Sequence, residues 1–413
     1  MLALFFRCGG MVLALLTTST LIKVLGASNY GVWATLVSLL AWIQLSDFGV
    51  GYALKNRIAA SSSSDELLDL VSGVFQFFLL VSVGLALVFW IVGDHLKIVR
   101  DYPNEARVLY VATFIFFPLT IGTSVLQGLR KTSISSAFGF AQSALWLICV
   151  MAFMWLAGSV IELTWVYVAT VVMISLLQFI VAMNGLSNTQ EKWSKQILKI
   201  RNFKLALPLL GIGVRFILLQ MSSVVLFSLG TYLTYSNLSA EEAAKFDVMF
   251  KFFQVPLTVF SMIISVYWVE IARDISLENA SGLTRKYKQL LLMSLGIALL
   301  IFVFAFAVMP TLINAYSGNR IQCTNIESIT FGALIVVQIF AYSGAVFLNA
   351  AEILKGQIAL AILAASLLIP VAKYFFGIGF GVVSVPLATA ILISPSLIYC
   401  NWKAYSCVIK KNS

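Results

Sequence analysis

Two carboxylates and a lysine stand where a bilayer should admit only apolar side chains. Asp47 falls about two-thirds of the way along the apolar run 31–54, close to Gln44 and Ser46. Asp247 and Lys251 stand four residues apart near the start of another run, 245–268. A charged side chain near the bilayer centre costs about 2.5–3.5 kcal/mol or more unless it faces protein or water, so each marks a functional hypothesis. From Asp247 the polar residues continue as Lys251, Gln254, Thr258, Ser261 and Ser265, in steps of four, three, four, three and four. That spacing puts all six on one helix face. Phe252, Phe253, Val259 and Phe260 occupy the other side and suit lipid or helix packing. At i, i+4 Asp247 and Lys251 can pair, which lowers the cost of holding both. A lone pair of this kind can be structural glue; a six-residue polar face argues for a water-filled cavity.

Other cations are embedded too. Arg7 shares a face of the first run with Met11, Ala14 and Thr18, although it could also reach back to the headgroups. Arg215 lies well inside the seventh run, Lys23 near the end of the first, and Lys373 near the outer end of the eleventh. Embedded cations outnumber the two aspartates. Fixed arginine and lysine in a low-dielectric cleft can replace the water around a pyrophosphate or an acidic sugar, and arginine can grip phosphate with two hydrogen bonds. An exporter of organic cations should show the reverse, an excess of embedded carboxylates.

The elements that must carry these residues follow from composition. Hydrophobic residues make up 61% of the 413 and charged residues 11%, against about 25% charged in soluble domains. The expected fold class is therefore an all-α polytopic membrane protein. A spanning helix needs about 20 mostly apolar residues, and runs of that length give about twelve: 2–25, 31–54, 70–92, 107–129, 135–157, 163–184, 206–233, 245–268, 288–309, 328–350, 357–376 and 383–402. Seventeen of the 27 lysines and arginines fall in one alternate set of loops and four in the other. That asymmetry places both termini in the cytoplasm.

The expected organisation is a six-helix bundle over 1–184, a cytoplasmic amphipathic linker over 185–205 and a second six-helix bundle over 206–413. In the linker Trp193, Ile197 and Ile200 share a face flanked by lysines, an interfacial-helix pattern. Tyr30-Gly31-Val32-Trp33 and Phe246-Asp247-Val248-Met249 open the second and eighth runs, 216 residues apart, as a faint repeat. Repeats in the same orientation predict two bundles related by a pseudo-two-fold axis along the membrane normal, an arrangement transporters use with substrate between the halves.

Several classes of chemistry drop out. The loops are too short for an extramembrane catalytic domain, and Asp94, His95 and Asp101 read as a solvated loop. Five cysteines without CxxC spacing and a single histidine indicate no metal site, cofactor or disulfide. The basic residues follow membrane topogenesis and do not form a nucleic-acid module. The N-terminal apolar run shows no small-residue cleavage site before Gly26, which predicts a retained first helix.

One stretch carries a resemblance. Lys23-Val24-Leu25-Gly26, Tyr30-Gly31, Leu45-Ser46-Asp47-Phe48-Gly49 and Arg57-Ile58-Ala59 resemble the N-terminal signature of polysaccharide-biosynthesis flippases. These belong to the multidrug/oligosaccharidyl-lipid/polysaccharide (MOP) exporter superfamily. Phe246 to Lys251 with Pro256 is similar to that family's repeat, with Phe246 in place of the usual tyrosine. The resemblance implies an O-antigen-type flippase for undecaprenyl-pyrophosphate-linked oligosaccharide, working by alternating access in a bacterial inner membrane. It implies substrate binding in a cationic lumen by Arg7, Arg215 and Lys251, with Lys23 and Lys373 behind them. Asp47 and Asp247 become the coupling or gate residues for a proton or sodium gradient, and Gln254, Thr258 and Ser261 the polar cavity face. Partners would be the lipid-linked substrate, membrane lipids and other polysaccharide-assembly membrane proteins. The alternatives are an ion-coupled multidrug exporter of the same fold, a membrane-embedded oligosaccharide polymerase, and a scaffold without transport. The topology is directly testable: a cysteine at Arg320 should react with an impermeant maleimide from outside the cell and one at Lys195 should not, and the reverse pattern would invert the orientation.

Overall fold

A computed structural model describes residues 2–60, 64–153, 159–186, 208 and 220–409. Every regular element among the described residues is helical. The chain forms two compact units, one of Met1–Asn29 with Thr35–Gln220 and one of Tyr30–Ala34 with Met221–Ser413. Residues 187–205 of the expected linker, and Arg215 with most of the first half of the seventh expected span, lie outside the described residues.

Ten helical stretches among the described residues are long and apolar enough to cross a membrane. One of them, Leu2–Asp47, holds two expected spans. They part at Gly26, whose φ of 83° and ψ of 165° break the helical path. The outer surfaces show why a bilayer is the solvent: Trp90 is 81% exposed, Leu299 64% and Leu300 69%. A soluble monomer rarely shows contiguous apolar surface beyond a few hundred Å², whereas hydrocarbon accepts it without cost. This is a multi-pass membrane protein.

The first unit contains α1 (Leu2–Ser38), α2 (Leu40–Gln44), α3 (Val50–Ala60), α4 (Ser64–Val92), α5 (Lys97–Asp101), α6 (Pro103–Phe116), α7 (Ile121–Gly128), α8 (Thr132–Phe153) and α9 (Val160–Leu186), with residues 30–34 of α1 grouped in the other unit. Two expected spans are interrupted. Pro118 sits in a tight 3₁₀ turn, Phe117–Thr120, between α6 and α7, because proline cannot donate into the helical ladder. Between α2 and α3 the backbone turns left-handed at Phe48 (φ 51°) and Gly49 (φ 70°). Glycine adopts that region freely, but phenylalanine pays about 1–2 kcal/mol for it. The chain holds α7 and α9 together, with α3 and α8 packed against them.

The second unit contains α10 (Gly230–Asn237), α11 (Ala240–Ser276), α12 (Ala280–Val303), α13 (Met309–Ser317), α14 (Asn325–Ala350), α15 (Lys355–Gly377) and α16 (Ser384–Lys403). Its core helix is α14, packed against α11, α12 and α16, with Phe331, Ile335, Ile339 and Phe347 buried along it. The start of α14 is fixed by a capping box: Thr324 accepts from the Glu327 N–H, and Glu327 accepts from the Thr324 N–H. Two orphan amides are thereby satisfied. The same carboxylate holds Lys245 of α11 at 3.0 Å.

Cys323, just before this box, has its thiol pushed up to about 12, first by burial and then by the Glu327 carboxylate. Because the thiolate is the reactive form, the native cysteine stays protonated through neutral pH. At pH 7.5 maleimide should therefore label an Arg320→Cys residue at least about a hundredfold faster than Cys323. Comparable rates at the two positions would show that this environment does not exist.

Candidate functional site

The second unit holds a three-residue charge cluster. Tyr30 is 1% exposed, and its hydroxyl donates to Asp247 Oδ2. Lys251 Nζ donates to the same hydroxyl at 2.9 Å and lies 2.6 Å from Asp247 Oδ2. The ammonium also stands 5.6 Å from the centre of the Tyr30 ring, within the range of a cation–π contact. Each member thus satisfies the other two, with the Asp247 side chain mostly covered and the Lys251 side chain 40% exposed. The helix geometry that makes this possible is simple: one turn of α11 brings Asp247 and Lys251 together. Next to them Gly31 lets the start of α11 come close, since a Cβ there would lie 1.7 Å from the Ala240 carbonyl oxygen. The Tyr30-Gly31 pair therefore has two jobs, a hydroxyl for the ions and a backbone without a side chain for the contact.

Down the same face, Thr258 and Ser261 turn their hydroxyls back on α11, to the carbonyls of Gln254 and Thr258. The polar stripe is present, but its hydroxyl protons are spent on the helix. It runs from the mostly covered Asp247 to the exposed Ser261.

Asp47 has a different setting. It closes the short turn Leu45–Asp47 ahead of α3, and its Oδ1 accepts from the Gly49 N–H at 2.8 Å. The Gly51 N–H donates to the same carboxylate. An aspartate facing the free amides of a helix start is stabilised by hydrogen bonding and by the helix dipole. It also lines a cavity of about 550 Å³ inside the first unit. That volume lies in the range of small-molecule sites, roughly 300–1,000 Å³. Lys55, one turn and more beyond, lines it as well, with its ammonium 5.4 Å from the Tyr52 ring. Four helices contribute neutral hydrogen-bonding groups, among them Thr113, Thr123, Gln142 and Gln178.

The other residues singled out from sequence are dispersed. Arg7 and Lys23 are exposed on α1, and Lys373 is exposed on α15. Only Lys251 of the described candidates meets a carboxylate that is also a candidate. Asp94 and His95 are exposed in a tight turn. What sequence reasoning passed over is Tyr30 as a site residue and the cavity amides Gln142 and Gln178. The amides had a signal, since both interrupt apolar runs. Tyr30 had none beyond its motif, because its partners are 217 and 221 residues away.

With this geometry in hand, comparison with known proteins places the fold. No protein-family model matches the chain. A Yersinia pseudotuberculosis protein named "Putative O-antigen export protein" is 28% identical over 110 residues, a quarter of each chain. The structure is similar to a multidrug resistance MATE family transporter of the MOP superfamily in its inward-facing conformation, with TM-score 0.79, 14% identity, and 98% and 96% of the two chains covered. It is also similar to the lipid II flippase MurJ in an inward closed conformation, with TM-score 0.71, 16% identity and coverage of 99% and 89%. A third likeness is to a MOP superfamily transporter from Pyrococcus furiosus described as having a binding pocket of reverse polarity, with TM-score 0.54, 14% identity and coverage of 98% and 95%. The chain has the MOP exporter fold.

The cluster generates a coupling test. Replacing Asp247 with Asn removes the ion pair of Lys251, whose side chain is 40% exposed, and should lower stability by about 0.5–1 kcal/mol, the scale of a solvent-accessible pair. The double variant Asp247→Asn/Lys251→Met removes both charges and should recover most of that loss. Thermal melts in detergent measure both, and strictly additive effects would mean that the two side chains do not interact.

Proposed function

We propose that the chain is a flippase that carries an undecaprenyl-pyrophosphate-linked oligosaccharide from the inner to the outer leaflet of a bacterial inner membrane by alternating access. One observation carries this: within a bundle whose outside is apolar, α11 holds Lys251 beside Asp247 and Tyr30, with a polar stripe continuing through Gln254, Thr258 and Ser261. An anionic headgroup cannot cross hydrocarbon alone. A lysine already held by one oxyanion can exchange that carboxylate for a phosphate oxygen without ever being left unpaired. The lipid tails would stay in the bilayer, against the exposed apolar faces. The likeness in fold to a lipid II flippase and the partial match to an O-antigen export protein support the same substrate class.

In this scheme Arg7, Lys23, Lys373 and Arg215 remain the other cationic candidates, the first three exposed on α1 and α15. Asp247 and Asp47 are the coupling or gate positions for a proton or sodium gradient. Neither an enzymatic step nor a cofactor enters. In this reading the chain is two six-helix bundles joined by an amphipathic linker, with both termini in the cytoplasm. Export of organic cations fits less well, because Lys251 neutralises Asp247 and leaves the cluster without net negative charge.

Charge removal tests the proposal. Lys251→Met and Arg215→Gln should each abolish surface polysaccharide while the protein remains in the membrane, and Lys251→Arg should retain part of the activity. Normal polysaccharide from both neutral variants would refute the assignment. Neighbouring genes for glycosyltransferases and sugar-nucleotide enzymes are the cheapest supporting observation.

A further inference from the structure

The cavity of the first unit shares no lining residue with the charge cluster, and the chemistry of its wall narrows what can fill it. Among the described residues the charged side chains lining it are Asp47 and Lys55. Their formal charges cancel, so neither an organic cation nor a pyrophosphate gains a net field there. The carboxylate is moreover already engaged by two backbone amides.

The remaining polar wall is neutral and rich in acceptors. Thr113 and Thr120 donate their hydroxyl protons to the Leu109 and Phe117 carbonyls, both at 2.6 Å. Their oxygens are left as acceptors. The Gln178 amide nitrogen donates to Thr123 Oγ1 at 3.0 Å and to Ser135 Oγ at 3.4 Å. That pins the side chain and leaves its carbonyl oxygen to accept. Gln142 adds an amide that can both donate and accept. Tyr167 lines the same space and is braced by Trp146, their rings 5.1 Å apart and edge to face. A matching ligand carries many hydroxyl donors at different angles, presents a C–H face to an aromatic ring, and has no net charge. Those are the properties of a sugar ring.

We propose that this cavity binds a neutral sugar of the cargo. The assignment rests on the flippase proposal and names a part of its substrate site. Selectivity would come from the acceptor-rich wall, since a site built to pair hydroxyls strongly rejects analogues that lack them.

The test uses the full chain in lipid nanodiscs and the free repeat-unit oligosaccharide, released by mild acid from the lipid-linked pool of the bacterium that carries this chain. Titration calorimetry should show binding of this neutral oligosaccharide. Gln178→Leu and Gln142→Leu, on different helices, should each weaken it about tenfold, the effect of one lost neutral hydrogen bond. Inorganic pyrophosphate and tetraphenylphosphonium, used as anionic and cationic probes, should not compete. Unchanged sugar binding in both variants, or displacement of the sugar by tetraphenylphosphonium, would overturn the proposal. A vesicle assay with a fluorescent lipid-linked oligosaccharide separates the two levels. Flipping that is intact in the wild type and insensitive to both glutamine variants removes only the cavity assignment. No flipping by the wild type, with sugar binding intact, removes the flippase proposal and leaves the cavity as a carbohydrate site.

Discussion

Hydrocarbon does not solvate charge, and the organisation of this protein follows from that constraint. A carboxylate and an ammonium on one spanning helix persist because Asp247, Lys251 and Tyr30 satisfy one another. The cluster is neutral overall, since the tyrosine is uncharged and the two ions cancel. In the proposed mechanism this keeps the lysine available, because one oxyanion can replace another at Lys251 without a stage at which the charge is bare. A lysine with no partner would cost too much at rest, and one buried in a closed aliphatic core could not be reached.

The same constraint explains a more economical device at Asp47. The expected continuous span 31–54 is in fact broken, and the break exposes the free amides of a new helix start. Asp47 accepts from Gly49 and Gly51, so one unfavourable feature, an interrupted helix in a membrane, offsets another, an embedded carboxylate. Irregular backbone is tolerated at membrane depth where it borders a cavity, and Asp47 lines one. Phe48 bears the local strain of the turn.

The two polar features divide by chemistry. In the second unit full charges are paired and arranged along one helix. In the first, neutral amides and hydroxyls from several helices share the wall of about 550 Å³ of space with aliphatic and aromatic side chains, and the two formal charges cancel. The multidrug reading would call for acidic walls; the first cavity has one carboxylate, already capped, and a lysine beside it.

Much of this was readable along the chain. Spanning runs, the polar face of α11 and the costly positions Asp47, Asp247 and Lys251 depend on local spacing alone, because about 20 apolar residues span a bilayer and every third or fourth residue shares a helix face. The pairing of Asp247 with Lys251 was legible for the same reason, being one helical turn. The break at Phe48 was written in the Asp-Phe-Gly sequence, since aspartate and glycine at that spacing form a turn in which the side chain caps the backbone, but the surrounding apolar run concealed it. What only the tertiary structure decided are the contacts that cross between helices. Tyr30 reaches Asp247 over 217 residues, Gly31 admits the backbone of Ala240, and Gln142 and Gln178 face one cavity from neighbouring helices. Periodicity says which side of a helix is polar, but which helix that side will meet is set by packing, and packing belongs to the whole fold.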